Sequence, residues 1–103
     1  MKFTSSVPTE VILVVVFMMA DVLTGVLKAL KNKELSSTKA REGMYKKASF
    51  ILFVGFGYLA DFAMDYVDMG FKFPAAITIS TLVILTEAIS VLENLGSINP
   101  DLV

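Results

Sequence analysis

One stretch limits the possible folds of this chain more than any other. It is VILVVVFMMADVLTGVLKAL, residues 11–30, an apolar run of twenty residues with a carboxylate inside it. At ~1.5 Å of rise per residue, about twenty helical residues cross a ~30 Å hydrocarbon core. Within a bilayer a segment must satisfy its own backbone hydrogen bonds, so a run of this kind is a helix. Two more runs follow, residues 48–67 and 74–95, and each opens with 13 uncharged residues before Asp61 and Glu87 respectively. The expected fold class is an all-α membrane protein with three transmembrane helices at about 10–30, 48–67 and 74–95, in a single domain spanning residues 1–103.

Composition agrees with that reading. Hydrophobic residues make up 55% of 103 residues and the mean hydropathy is +0.72, more apolar surface than a soluble domain of this size can bury. With no cysteine and no histidine, the chain has no disulfide framework, no Cys or His metal site and no histidine-activated nucleophile. No phosphate-cradling loop is present either, so an enzyme, a cofactor and a bound metal are not expected. The string GFGYLA at residues 55–60 formally matches a dinucleotide-binding fingerprint, but no strand-helix-strand unit with a following ribose-binding acid can be built around it. Its glycines read better as small residues that let membrane helices approach closely. A net charge of −1 gives no nucleic-acid signature. As a secretory signal the N-terminus fails, because a cut after Ala20 leaves Met18 where a small residue is wanted.

The basic residues are concentrated in one place. The linker at residues 28–47 holds Lys28, Lys31, Lys33, Lys39, Arg41, Lys46 and Lys47 against Glu34 and Glu42, whereas Lys2 alone precedes the first segment and Lys72 alone lies between the second and third. Loops rich in Lys and Arg stay in the cytoplasm. The linker and C-terminus are therefore expected inside and the N-terminus outside, with Lys31, Lys33, Lys39, Arg41, Lys46 and Lys47 serving as a topology and lipid-headgroup signal. Tyr45 on one side, and Tyr66, Phe71 and Phe73 on the other, suit the two interfaces.

The polar residues inside the spans are the candidate functional set. Asp21, Thr24, Gly25 and Lys28 follow at i, i+3, i+4 and i+7 and so share a helix face. In the second span Asp61, Asp65 and Asp68 form an acidic stripe with Gly57 one turn earlier; the plain expectation is that these acids emerge at the far interface, where a charge costs less. In the third, Ser80, Glu87, Ser90 and Asn94 share a face. If Lys28 marks the cytoplasmic interface, Asp21 lies roughly 10 Å deep at ~1.5 Å per residue, and Glu87 lies at a similar depth inside Gly96. The two carboxylates are then expected in one layer facing protein or water, either protonated or paired with Lys28 or with the hydroxyls of Thr24 and Ser90. Independent helix-packing roles for each remain the alternative.

In order along the chain, DVLTGVLKAL, a basic linker with Ser36 and Ser37, REGMYKK, and EAISVLENLG followed by NPDLV resemble the phage-lysis and toxin-secretion holins, the family that includes clostridial toxin-release holins. The residues that carry the likeness are Asp21, Thr24, Gly25, Lys28, Gly43, Lys46, Lys47, Glu87, Ser90, Glu93 and Asn94. The basic tail into which such proteins often continue is not found before Val103, and Met18 and Met19 lie within the first span, so a tail-based or dual-start regulatory form is not expected. The resemblance implies a homo-oligomer in the bacterial cytoplasmic membrane. It would associate with itself and with lipid, and open lesions through which an endolysin or a toxin leaves. Helix packing and gating would then fall to Asp21, Thr24, Gly25, Lys28, Gly57, Asp61, Glu87, Ser90, Glu93 and Asn94. Two other classes compete: a narrow ion or proton channel with Asp21, Asp61 and Glu87 as a relay, and a membrane scaffold without a pore.

Overall fold

The computed structural model describes residues 7–102; Lys2, which enters the topology argument, lies outside them. Three helices follow one another, α1 (Thr9–Asn32), α2 (Ser37–Tyr66) and α3 (Ala75–Ile98), with a short 3-10 turn at Pro100–Leu102. All three are long and apolar enough to cross a membrane.

The boundaries differ from the sequence expectation at the linker. Most of residues 28–47 is helical: α1 runs on to Asn32 and α2 begins at Ser37, leaving a turn of four residues. Local chemistry explains both ends. Lys33 takes a left-handed conformation (φ 56°), its N–H reaches the Leu30 carbonyl at 3.4 Å, and the Glu34 N–H reaches that of Ala29 at 2.8 Å. This is a Schellman ending, usually built on glycine because a side chain there is strained. Ser36 then caps α2 by accepting the Lys39 N–H at 3.3 Å. Alternating Lys, Arg and Glu do not oppose a helix, and α2 extends to 30 residues, about 45 Å at ~1.5 Å per residue and so longer than a hydrocarbon core.

At the other end of the chain α3 does not stop at Gly96 but continues to Ile98. Its last carbonyls are met by Lys31, whose ammonium donates to Ile98 O at 2.6 Å and Ser97 O at 3.2 Å. A cation at a helix C-terminus also complements the dipole.

α3 packs against both other helices and contributes most of the buried residues, Ala75, Ala76, Ile79, Ser80, Val83 and Glu87. Val14 and Met18 from α1, Val54 from α2, and Ile79 and Val83 from α3 form a small shared core flanked by Phe50, Tyr58 and Ile84. Most other large apolar side chains point outward; Leu23, Leu52, Phe56 and Leu59 are each about 60% exposed or more. So extensive an apolar exterior is unsustainable in water and suits lipid or further protein.

Candidate functional site: a charged layer across three helices

The polar residues fall into two groups, one on each side of the shared core. The first lies toward the α1–α2 turn. There the Lys47 ammonium sits between two carboxylates, 2.5 Å from Asp21 Oδ2 and 2.6 Å from Glu87 Oε2. Each of the three helices supplies one member. Their side chains are withdrawn from solvent, at 15% exposure for Lys47 and Asp21 and 0% for Glu87. Glu87 Oε1 has no hydrogen-bond partner among the described residues, and neither has the buried Ser80 Oγ one face-repeat away.

Asn94, about two turns beyond Glu87 on α3, extends this layer. Its amide donates to Asp21 Oδ1 at 3.1 Å and to Thr24 Oγ1 at 3.0 Å, and the Thr24 hydroxyl in turn donates to Ala20 O at 2.8 Å. Gly25 stands beside it: a Cβ there would lie 3.6 Å from Asn94 Nδ2, an ordinary contact. The layer therefore combines a doubly bound ammonium with an amide clamp on the same aspartate. Two carboxylates on one ammonium leave an excess negative charge if all three groups are ionised. Such a triad is costly to break, because removing one partner strands the others in a low-dielectric setting.

Asp21 and Glu87 thus share a layer, but their cationic partner differs from the residues proposed for it. Lys28 is seven residues from Asp21 on the same helix, about 10 Å along the axis at ~1.5 Å per residue, too far to fold back. Lys28 and Ser90 form no hydrogen bond or ion pair among the described residues, and Glu93 is exposed. Lys47, assigned from sequence to the lipid-facing linker, turns inward because α2 starts ten residues before it. A sequence signal existed: stepping back from Asp61 by sevens reaches Val54 and then Lys47, which places all three on one face of a helix. The remaining linker residues are peripheral. Lys39 pairs loosely with Glu34 at 3.9 Å, Lys46 lies 5.6 Å from the Phe50 ring centre, and Arg41 is exposed.

The second group lies at the opposite end of the bundle. The two oxygens of Asp61 accept the N–H groups of Ala75 at 2.9 Å and Ala76 at 3.2 Å, capping α3 from the neighbouring helix. Gly57, one turn earlier, is where the helices meet backbone to backbone. A Cβ there would stand 2.9 Å from Ala76 Cα and 3.2 Å from Ala75 O. Nearby, Tyr58 donates to Glu10 Oε2 at 2.6 Å and ties α2 to the start of α1. Asp65 meets Lys72 at 3.4 Å on the exposed surface, and Asp68 accepts the Gly70 N–H at 3.0 Å within the α2–α3 turn.

Beside the charged layer, a cleft of about 780 Å³ opens between α1 and α2 near their connecting turn. Asp21, Lys47 and Asn94 form its polar floor, Val22, Val26, Met44 and Ile51 line its walls, and Lys28 also borders it. No group of His, Cys, Asp or Glu among the described residues could hold a metal ion.

Comparison with known proteins is consistent with these observations. Residues 2–102 match the model of the Bacteriophage holin family. Among curated proteins, the chain is similar to an uncharacterized 14.9 kDa protein in the nagH 3′ region of Clostridium perfringens, 32% identical over 87 residues, covering 84% of this chain and 63% of that protein. A second uncharacterized protein, from C. perfringens strain 13 / type A, is 31% identical over 88 residues, covering 85% of this chain and 62% of its own length. The chain thus spans a little under two thirds of the curated relatives it matches. No solved structure matches it. With the family's model matched from residue 2 to residue 102, and three helices fit to cross a bilayer, the chain belongs to the bacteriophage holin family.

Proposed function

We propose that this multi-pass membrane protein self-associates in the bacterial cytoplasmic membrane and opens lesions through which a cell-wall hydrolase or a toxin leaves the cell. In this reading the N-terminus is outside, and the α1–α2 turn and C-terminus are cytoplasmic, as the clustering of Lys and Arg favours. One observation carries the mechanism: the Asp21–Lys47–Glu87 layer, in which each helix contributes one charge to a contact withdrawn from solvent. A packed apolar core is about as stable against lipid as against itself and gains nothing by facing water. Buried charges differ, since they are stable either against one another or against water, and in neither case against lipid. The layer is therefore a latch. Closed, it holds the three helices with their polar faces inward; on assembly of many copies the same faces turn to line a water-filled lesion.

Expression with a cytoplasmic wall hydrolase, with membrane potential and culture density followed together, tests the reading. Collapse of potential followed promptly by lysis is the expected outcome. Collapse with the hydrolase retained in the cell would replace a lesion by a narrow channel, and harmless expression would leave a scaffold. The narrow-channel reading has less support, because its proposed relay is interrupted. Asp61 sits at the α3 N-terminus while Glu87 lies 12 residues beyond Ala75, roughly 18 Å at ~1.5 Å per residue, with Ile79 and Val83 of the apolar core between them.

A further inference from the structure

The residues around the α1–α2 cleft are ordered by height. The Asp21–Lys47 contact at 2.5 Å sets the register of the two helices, because it brings one residue of each to the same level. Lys28 lies seven residues toward the turn on α1 and Lys39 eight residues toward it on α2, about 10 Å and about 12 Å at ~1.5 Å per residue. Two lysines therefore border the cleft from opposite walls at nearly one level, above its floor. Ser36, at the start of α2, lines the same mouth. The first turn of α2 holds no acid, and the leading N–H groups of a helix lack partners within it and favour an anion.

Below this mouth the walls are apolar. Val22 and Val26 from α1 and Met44 and Ile51 from α2 line the cleft, and each is exposed in the single chain. The backbones of α1 and α2 stay apart over most of their length, each resting on α3 instead. Since α3 reaches the cleft only through Asn94, the opening faces away from it. Gly43 widens the space, for a Cβ built there meets nothing within 4 Å. An apolar slot between membrane helices with cations at its outer end matches a molecule that joins an anionic head to an apolar tail. Charge at the mouth sets the valence of that head. Lys28 and Lys39 stand there against Glu34, which lies 3.9 Å from Lys39, and one positive charge is left in excess.

We propose that the cleft binds one monoanionic phospholipid from the leaflet on the side of the α1–α2 turn. Its phosphate is held between Lys28 and Lys39, and an acyl chain lies along Val22, Val26, Met44 and Ile51. This is distinct from a general attraction of the basic linker to an anionic surface, because Lys33, Arg41 and Lys46 carry the same charge and do not border the cleft. The bound lipid fills the space between two helices that do not pack on one another and covers the Asp21–Lys47 floor. The site requires only a membrane and stands whether or not the protein opens lesions.

The test uses full-length protein stripped of lipid in detergent and then offered phosphatidylglycerol or phosphatidylcholine with the same chains. Native mass spectrometry and thermal unfolding are the readouts. Phosphatidylglycerol is expected to remain bound at one molecule per chain and to raise the unfolding temperature, with phosphatidylcholine retained about tenfold less. Lys28→Gln with Lys39→Gln should abolish that preference. Lys33→Gln with Arg41→Gln, an equal loss of charge outside the cleft, should keep it. Gly43→Leu places a side chain in open space and improves helix propensity, so it should fold and lose most of the bound lipid. Equal losses from the two double variants would reduce the effect to surface attraction and overturn the site, as would full retention in Gly43→Leu. The same rise in unfolding temperature from inorganic phosphate alone would overturn a lipid ligand in favour of a phosphate one. If Gly43→Leu instead removes formaldehyde-trapped oligomers and leaves the lipid bound, a second copy fills the cleft and the proposal falls.

Discussion

The two ends of α3 are joined to the rest of the bundle by different physics. At its N-terminus the contact is one of shape: Gly57 lets the α2 and α3 backbones meet, and Asp61 caps the helix it touches. Toward its C-terminus the contact is one of charge and hydrogen bonds carried on long side chains, Lys47 to Glu87 and Asn94 to Asp21, beside an open cleft. Shape complementarity admits one arrangement. Ion pairs between flexible side chains admit others, provided that water or another charge replaces the partner. In the proposed mechanism the first end would act as a fixed hinge and the second as a releasable latch.

Substitutions should separate the two ends, and the largest effect is expected at Lys47. Lys47→Ala leaves Asp21 and Glu87 uncompensated, and breaking a buried ion pair in this way costs about 3–5 kcal/mol. In cells co-expressing a hydrolase the onset of lysis should shift strongly or be lost, and in detergent the helices should unfold at lower temperature. A wild-type lysis time and melting temperature would remove the latch from the account. Lys47→Met combined with Asp21→Asn and Glu87→Gln, which discharges the whole layer, should recover much of the stability; if it also recovered normal lysis timing, charge would not be the gate.

Gly57→Val comes next, since its side chain must push the α3 backbone away from a site where even a Cβ has only 2.9 Å. Overpacking of this kind costs about 1–3 kcal/mol, and it should lower the amount of folded protein in the membrane, read by immunoblot and thermal unfolding. If it altered lysis timing at unchanged protein level, the hinge and the latch would not be distinct. Asp61→Ala removes the cap from α3 at a cost of about 1 kcal/mol, whereas Asp61→Asn keeps an acceptor and should be milder; slower hydrogen exchange at Ala75 and Ala76 in the alanine variant would contradict the capping role.

Smallest are the changes around Asn94. Asn94→Ala loses an interhelical amide clamp, about 0.6 kcal/mol on average for such bonds in a membrane protein, and Gly25→Ala adds a methyl at ordinary contact distance. Both are expected to move lysis onset slightly while leaving protein abundance unchanged. A Gly25→Ala effect larger than that of Lys47→Ala would reverse the ranking on which the comparison stands.

Much of this was legible in the chain. Three apolar runs specify three membrane helices because a bilayer forces each to close its own hydrogen bonds, and a polar side chain within such a run stands out at once. Asp21, Glu87 and Asn94 were therefore visible as candidates, and the rise of a helix led to the expectation that Asp21 and Glu87 share one layer. Lys47 carried only a faint signal, its spacing by sevens from Val54 and Asp61, because it is the last of seven basic residues in a stretch that reads as a solvated linker. Its inward direction depends on α2 beginning at Ser36 and Ser37 and holding helical phase for ten residues. The capping role of Asp61 was hidden for another reason: an acid near the end of one helix shows no partner until the chain turns back and sets the N-terminus of the next helix beside it.

The sequence by itself determined the number of helices, the burial of unusual polar groups in an apolar background and membership of a holin family, since each of these is a property of local composition and spacing. Only the tertiary structure decided which charges meet. Pairing depends on the relative rotation and height of helices far apart in sequence, and the partner of Asp21 proved to be a residue of another helix, 26 positions away, that local spacing could not connect to it.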